Sequence, residues 1–139
     1  LINVLSPRNI SRDDENKNSL IFTIFQNGTS FMFTGDADSE MEKEVLAHYR
    51  LPRCIYLKTG HHGSKTASCD EFIGTIRPQM ASISCGYKNK YGHPHQETLD
   101  TFKKYQVQTF RTDLNGDMVF YFDVRNTKKI YSKRKYLLE

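Results

Sequence analysis

Leu57-Lys58-Thr59-Gly60-His61-His62-Gly63-Ser64-Lys65-Thr66-Ala67-Ser68 is the stretch on which the fold turns, because a short apolar segment delivers two adjacent histidines into a loop of small, polar and cationic residues. A strand fixes the direction of the side chains at its end, and neutral imidazole is the commonest protein ligand for transition metals. Two further stretches have the same form: Phe31-Met32-Phe33-Thr34-Gly35-Asp36-Ala37 upstream and Tyr91-Gly92-His93-Pro94-His95 downstream. Each sets a ligand-capable or proton-transferring residue just after an apolar strand or beside Gly or Pro.

Outward from the histidines, the chain alternates strands and helices. Leu20 to Phe25 and Ser30 to Phe33 flank Asn27-Gly28, the strongest short hairpin signal, so Asp36 follows the second strand of a hairpin. Residues 6 to 18 are polar and turn-rich and read as a loop. Ser39 with Glu42 has the form of a capping box ahead of a helix through Met41, Val45, Leu46 and Tyr49, which Leu51-Pro52 stops. Cys54 to Lys58 reads as a strand. Ser68 with Glu71 opens a second helix through Phe72, Ile73 and Ile76, and Met80 to Cys85 is the next strand. A third helix, from about His95 to Tyr105, carries Leu99, Phe102 and Tyr105 on one face. Val107 to Phe110 and Met118 to Val124 read as strands around Asn115-Gly116. The pattern predicts an α/β fold, a mixed sheet with helices on one face and a hairpin at each end.

Such a sheet brings Asp36, His61 and His93, separated by 25 and 32 residues, to one edge, where open α/β sheets gather ligands. A carboxylate and imidazoles together suit Zn²⁺ or Mn²⁺ rather than Ca²⁺. Each residue also has a plainer reading. Asp36 after Gly35 could be a turn residue or a helix N-cap, the His61-His62 pair a structural loop, and His93 before Pro94 a hydrogen-bonding, loop-ordering residue. His48, on a helix, and His95, at a helix start, are left to structure.

Asn18-Ser19-Leu20, Thr34-Gly35-Asp36-Ala37, Gly60-His61-His62-Gly63-Ser64 and Asn89-x-Tyr91-Gly92-His93-Pro94, in that order, resemble the C-terminal half of the metallo-β-lactamase-like domain of ComEC-type DNA-uptake (competence) proteins. The resemblance covers nearly all of residues 3 to 124. It implies one half of an αβ/βα sandwich, with residues 1–124 as the domain and 125–139 as a basic C-terminal segment. The family's first metal motif, of His-x-His-x-Asp-His type, is absent from the chain, and the first residue is not Met, so a fragment of a longer protein is the expectation. The resemblance further implies two divalent ions, Zn or Mn, in the full domain. Asp36 matches the bridging aspartate and His61 the last metal-ligand histidine. His62 remains open as the ligand instead, or as a group facing substrate. His62 and His93 are the catalytic candidates, Ser64 and Lys65 the phosphate-binding ones, and Asn18 and Ser19 would hold the nearby loop.

The implied activity is metal-dependent hydrolysis of a phosphodiester, degrading the non-transported DNA strand during uptake. The implied partners are single-stranded DNA, the N-terminal half of the domain and a membrane channel, with the domain on the extracytoplasmic side of a bacterial membrane. Self-association of the fragment is expected as well, because a half-sandwich exposes a sheet face. Two other readings stand beside the nuclease: a non-catalytic DNA-binding or interaction module, and a hydrolase of another small substrate on the same fold.

Composition sets the remaining bounds. At 139 residues, 37% hydrophobic and 26% charged, the chain has an ordinary single-domain length. No apolar run approaches the roughly 18 residues of a membrane helix, and Leu1 to Leu5 lacks the basic start of a signal peptide. Cys54, Cys69 and Cys85 are odd in number and have no Cys-x-x-Cys spacing, so they read as packing residues rather than a disulfide framework or thiolate zinc site. Residues 125–139 carry Arg125, Lys128, Lys129, Lys133, Arg134 and Lys135 against Glu139, a net of +5 that accounts for the whole chain's +4. A tail of that kind either attracts phosphates and anionic surfaces or is simply solvated.

Overall fold

The computed structural model describes residues 1–122 and the backbone of the strand 128–133. Six strands form one sheet in sequence order: β1 (Ile2–Ser6), β2 (Ile21–Gln26), β3 (Thr29–Phe33), β4 (Tyr56–Lys58), β5 (Met80–Ile83) and β6 (Gln108–Arg111). β1, β2 and β3 pair antiparallel, and β3 to β6 run parallel. The helices α1 (Ser39–His48), α2 (Asp70–Ile76) and α3 (Gln96–Lys104) make the parallel crossovers. The mixed α/β sheet expected from the sequence is therefore present.

The Asn27-Gly28 turn works as its residues demand: both have positive φ, 51° and 75°, and Gln26 faces Thr29 across a two-residue loop. Along β3, Met32 is buried on the helix face while Phe31 and Phe33 point to the other, and the period-2 alternation sets this register. Met32, Leu57, Ala81 and Ile83 meet Met41, Val45, Phe72, Ile73 and Phe102 from the helices in one core. Emptying such a position, Phe72→Ala for example, typically costs about 3–5 kcal/mol.

On the opposite face an aromatic layer runs across the strands. Phe22 stacks on Phe33 at 4.8 Å, and Phe33 lies 5.9 Å from Tyr56. β7 (Asp117–Phe122), paired antiparallel with β8 (Lys128–Lys133), lays Phe120 and Phe122 over Tyr56, Phe31 and Phe110. Val119 and Tyr121 on its outer side stay exposed.

Ile2–Ser6, to which the sequence alone assigns no element, is a strand held by the register Ile2 to Ile24 and Val4 to Phe22. Three details differ from expectation. The closing hairpin is β7–β8, not β6–β7: Thr112–Asn115 forms a short helix, α4, that carries the chain off the sheet edge. Asp38, not Ser39, caps α1, its Oδ1 accepting from the Glu40 and Met41 amides. Glu42 instead reaches across to accept from the Ser68 and Cys69 amides at 2.7 Å each and holds the loop ahead of α2, whose N-cap is Cys69 rather than Ser68 and makes no side-chain cap. Of the basic segment, the backbone of Lys128–Lys133 is strand β8, while Arg125, Arg134, Lys135 and Glu139 lie outside the described residues.

Candidate active site

The carboxyl ends of β3, β4 and β5 lie side by side in the parallel part of the sheet, and the loops that leave them build one cleft. From β3 comes Asp36. Gly35, at φ 53°, makes the tight turn, since a Cβ there would stand 3.2 Å from the Leu20 carbonyl oxygen. The Asp36 amide donates to Ser19 Oγ at 3.2 Å, the loop-holding role expected of Ser19. Asn18 works one step further out, bonding Ser11 through its side chain.

From β4 comes the histidine pair, in an unusual backbone. His61 and His62 are both left-handed, at φ 43° and 54°, a conformation that costs a non-glycine residue on the order of 1 kcal/mol or more. Several bonds enforce it. The His61 amide donates to the Gly35 carbonyl at 3.1 Å, Ser64 N donates back to the His61 carbonyl at 2.9 Å, and His62 Nδ1 lies 2.7 Å from the Ser84 carbonyl. The last contact places a proton on Nδ1, which leaves Nε2 as the nitrogen that faces the cleft. That atom stands 3.5 Å from Asp36 Oδ1. His61 makes no such contact. Its Nδ1 is buried without a hydrogen-bond partner among the described residues, and its ring centre lies 5.9 Å from that of His93.

From β5 comes the third loop, closed on itself by Asn89, whose side chain donates to the Gly86 and His93 carbonyls and accepts from the His93 amide. His93 packs between Tyr91, stacked at 5.7 Å, and His95 at 4.8 Å. Burial first, and then the neighbouring imidazoles His95, His61 and His62, hold His93 below the ordinary histidine value, so its ring is neutral at pH 7. His62, Ser84, Cys85, Gly86, Asn89, Tyr91 and His93 line a cavity of about 460 Å³. Asp36, His61, His62 and His93 are thus brought together.

The predicted phosphate contacts fare differently. Lys65 is exposed, its amide donating to His95 Nδ1 at 3.1 Å. Ser64 is buried, with its hydroxyl engaged by Thr66, and it orders the loop. His95 joins the cluster, although its place at a helix start pointed to a structural role; the His-x-His spacing in a proline turn is the signal for it. Lys58, at the end of β4, is a further neighbour that no motif marks. Burial lowers its ammonium from the usual value while the nearby Asp36 charge opposes this, and its Nζ donates to the Thr59 carbonyl at 2.8 Å. His48 stays with its own helix, Nδ1 against the Glu44 carbonyl. The cysteines are free, and burial pushes Cys85 up to about 11 and Cys54 and Cys69 up to about 12, the values of inert packing thiols.

The donor set fits a borderline divalent ion in kind. A hard carboxylate stands beside imidazoles, and one imidazole nitrogen is buried and unclaimed. It is short in number: among the described residues no group of three or more His, Cys, Asp and Glu side chains is poised to hold a metal ion.

No protein-family model matches the chain. It is 37% identical over 122 residues to ComE operon protein 3 of Bacillus subtilis, 31% identical over 118 residues to competence protein ComA of Neisseria gonorrhoeae, and 30% identical over 115 residues to Recombination protein 2 of Haemophilus influenzae. These matches cover 88%, 84% and 83% of this chain but 16%, 17% and 14% of the relatives, so the chain spans about a sixth of their length. No helix among the described residues is long and apolar enough to cross a membrane. Over the segment it spans, the chain is similar to these competence and recombination proteins.

Proposed function

We propose that this segment is the C-terminal half of a metallo-β-lactamase-like domain and supplies part of a metal-dependent phosphodiesterase site, which degrades the non-transported DNA strand during uptake. The observation that supports this best is the convergence of Asp36, His61, His62 and His93 from three adjacent strand ends, with the two central histidines held in a strained backbone. Strain of that kind persists only where surrounding bonds over-determine it, and it gathers at functional sites.

Asp36 and one or both of His61 and His62 hold metal in this account. The Asp36 carboxylate can bridge, His62 Nε2 already stands 3.5 Å from it, and the unpartnered His61 Nδ1 is the alternative donor. When bound, two divalent ions would bring the pKa of a water toward neutrality and offset the charge on the attacking and leaving oxygens. The remaining donors come from outside this segment. His93 faces the leaving group or the phosphate. Neutral in the free cleft, its ring gains a proton as a phosphate anion approaches and can then donate it to the departing oxygen. The exposed Lys65 attracts the phosphate, and Asn89 keeps His93 oriented. The domain acts beside a membrane channel, on the extracytoplasmic side.

The full-length gene product that carries this segment, given Mn²⁺ or Zn²⁺ and an end-labelled single strand, should release nucleotides and should stop doing so in chelator. Intact label under every metal condition tested would refute the hydrolase. A second reading, a non-catalytic DNA-binding module, draws on the shortage of metal donors among the described residues. It predicts oligonucleotide binding by the full-length product that neither Asp36→Ala nor chelator affects.

A further inference from the structure

The turn that leaves β5 carries a feature the hydrolytic residues do not use. Tyr87-Lys88-Asn89-Lys90-Tyr91 alternates aromatic and cationic side chains, and no acidic residue occurs between Cys85 and Gln96. Tyr87 is 56% exposed and Tyr91 64%, so neither ring is there to fill the core. Lys88 Nζ lies 5.3 Å from the centre of the Tyr87 ring, and Lys90 Nζ lies 5.0 Å from that of Tyr91. Each aromatic face therefore has a cation of its own within reach.

The turn is pre-shaped. Asn89 ties Gly86 to His93, Gly92 N donates to the Asn89 carbonyl at 3.2 Å, and Lys88 and Gly92 take the left-handed region at φ 49° and 70°. It also points somewhere: Tyr91 stacks on His93 at an interplanar angle of 24° and lines the same cavity as His62. We propose that Tyr87 and Tyr91, with Lys88 and Lys90, form a binding platform for single-stranded nucleic acid, stacking two unpaired bases and leading the adjoining phosphates toward the His62–His93 cavity; this deepens, and rests on, the phosphodiesterase reading of that cavity.

The chemistry selects unpaired strands for a physical reason. Lysines alone take any polyanion, whereas a tyrosine face can be covered only by a base whose own faces are free, and in a duplex they are already stacked. An arriving base takes the ring face, and the flexible ammonium moves aside to the phosphate next to it. Because the platform involves no metal donor, binding and hydrolysis can be measured apart.

The test is fluorescence anisotropy in chelator, with a labelled oligothymidylate of about a dozen nucleotides, inside the ~4–16 nucleotide range of such sites, against the corresponding duplex. Tyr87→Ala and Tyr91→Ala should each weaken single-strand binding about 5- to 100-fold, the loss expected for one stacked base, and leave duplex binding nearly unchanged. Tyr→Phe at either position should restore affinity, because the ring and not the hydroxyl is used. Lys88→Gln with Lys90→Gln should lower the slope of log affinity against log salt by about 1.4, or roughly 0.7 for each phosphate no longer neutralised. Parental affinity in both tyrosine variants, or a parent chain that shows no preference for the unpaired strand, would overturn the platform. Hydrolysis by the full-length product would then still stand. A platform that binds as described in a protein that cleaves nothing would instead remove the hydrolase and keep the single-strand site.

Discussion

Asp36 Oδ1 and His62 Nε2 face each other across the cleft, 3.5 Å apart, and the roles of these two residues are separable from that of His93. Asp36→Ala in the full-length product should lose bound metal and activity together, and excess Mn²⁺ should refill the weakened site in part, which it cannot do for a missing proton donor. His93→Ala should lower turnover about 10²- to 10⁴-fold, the usual loss of a general acid or base, with metal content unchanged. Metal analysis beside rate measurement decides this, and parental cleavage by His93→Ala would leave that histidine a loop-ordering residue. Glu42 offers a prediction independent of catalysis. It is 1% exposed, and burial pushes its carboxyl up to about 7 despite the two amides donating to it. Between about pH 4.5 and 7 the folded state holds a proton that the unfolded state has released, so stability should fall as pH rises through that window. The fall should be about 3 kcal/mol in all. Urea unfolding of Glu42→Gln should show this slope abolished; an unchanged slope would place the titration elsewhere.

At the scale of elements, much was legible. Asn27-Gly28 marked its hairpin because only a turn with positive φ at both residues suits it, and the apolar runs before Asp36, His61 and His93 marked the strands that align them. The capping boxes misled because a local pattern does not say which group supplies the acceptor: Asp38 takes the place of Ser39 at α1, and the carboxylate of Glu42 serves a loop 26 residues away. The β6–β7 hairpin misled for the same reason, as Asn115-Gly116 ends a helix instead of joining paired strands. Which histidine faces Asp36 depends on backbone angles that adjacent identical residues cannot reveal. The close fit of the histidine loop against the β5 loop was also hidden. A Cβ on Gly63, at φ 82°, would stand 2.6 Å from Pro94 Cβ, and the Gly63 carbonyl accepts from His95 N and Thr98 Oγ1. Gly63→Ala should cost about 2 kcal/mol or more in thermal unfolding and shift the His93 ring in NMR spectra. A parental melting temperature would mean the two loops are not packed as described.

At the scale of the molecule, among the described residues, the helices cover one sheet face and β7 covers the middle of the other. Ile2 and Val4 remain 64% and 59% exposed on the uncovered edge, beside Phe22 and Ile24 in the same register. An apolar strip there suits further packing, by another part of a longer chain or by a second copy. Sedimentation of the 139-residue chain at micromolar concentration should show self-association, and Ile2→Ser with Val4→Ser should reduce it. A monomer under all conditions would count against a half-sandwich. The central claim, that these strand ends are one part of a phosphodiesterase site, is tested most directly by a single comparison. Nucleotide release from a labelled single strand should be measured for the full-length product and its Asp36→Ala variant, with bound metal assayed in both. The expected result is cleavage by the parent and a loss of at least about 10²-fold in the variant, together with its metal; cleavage at the parental rate with metal retained would contradict the claim.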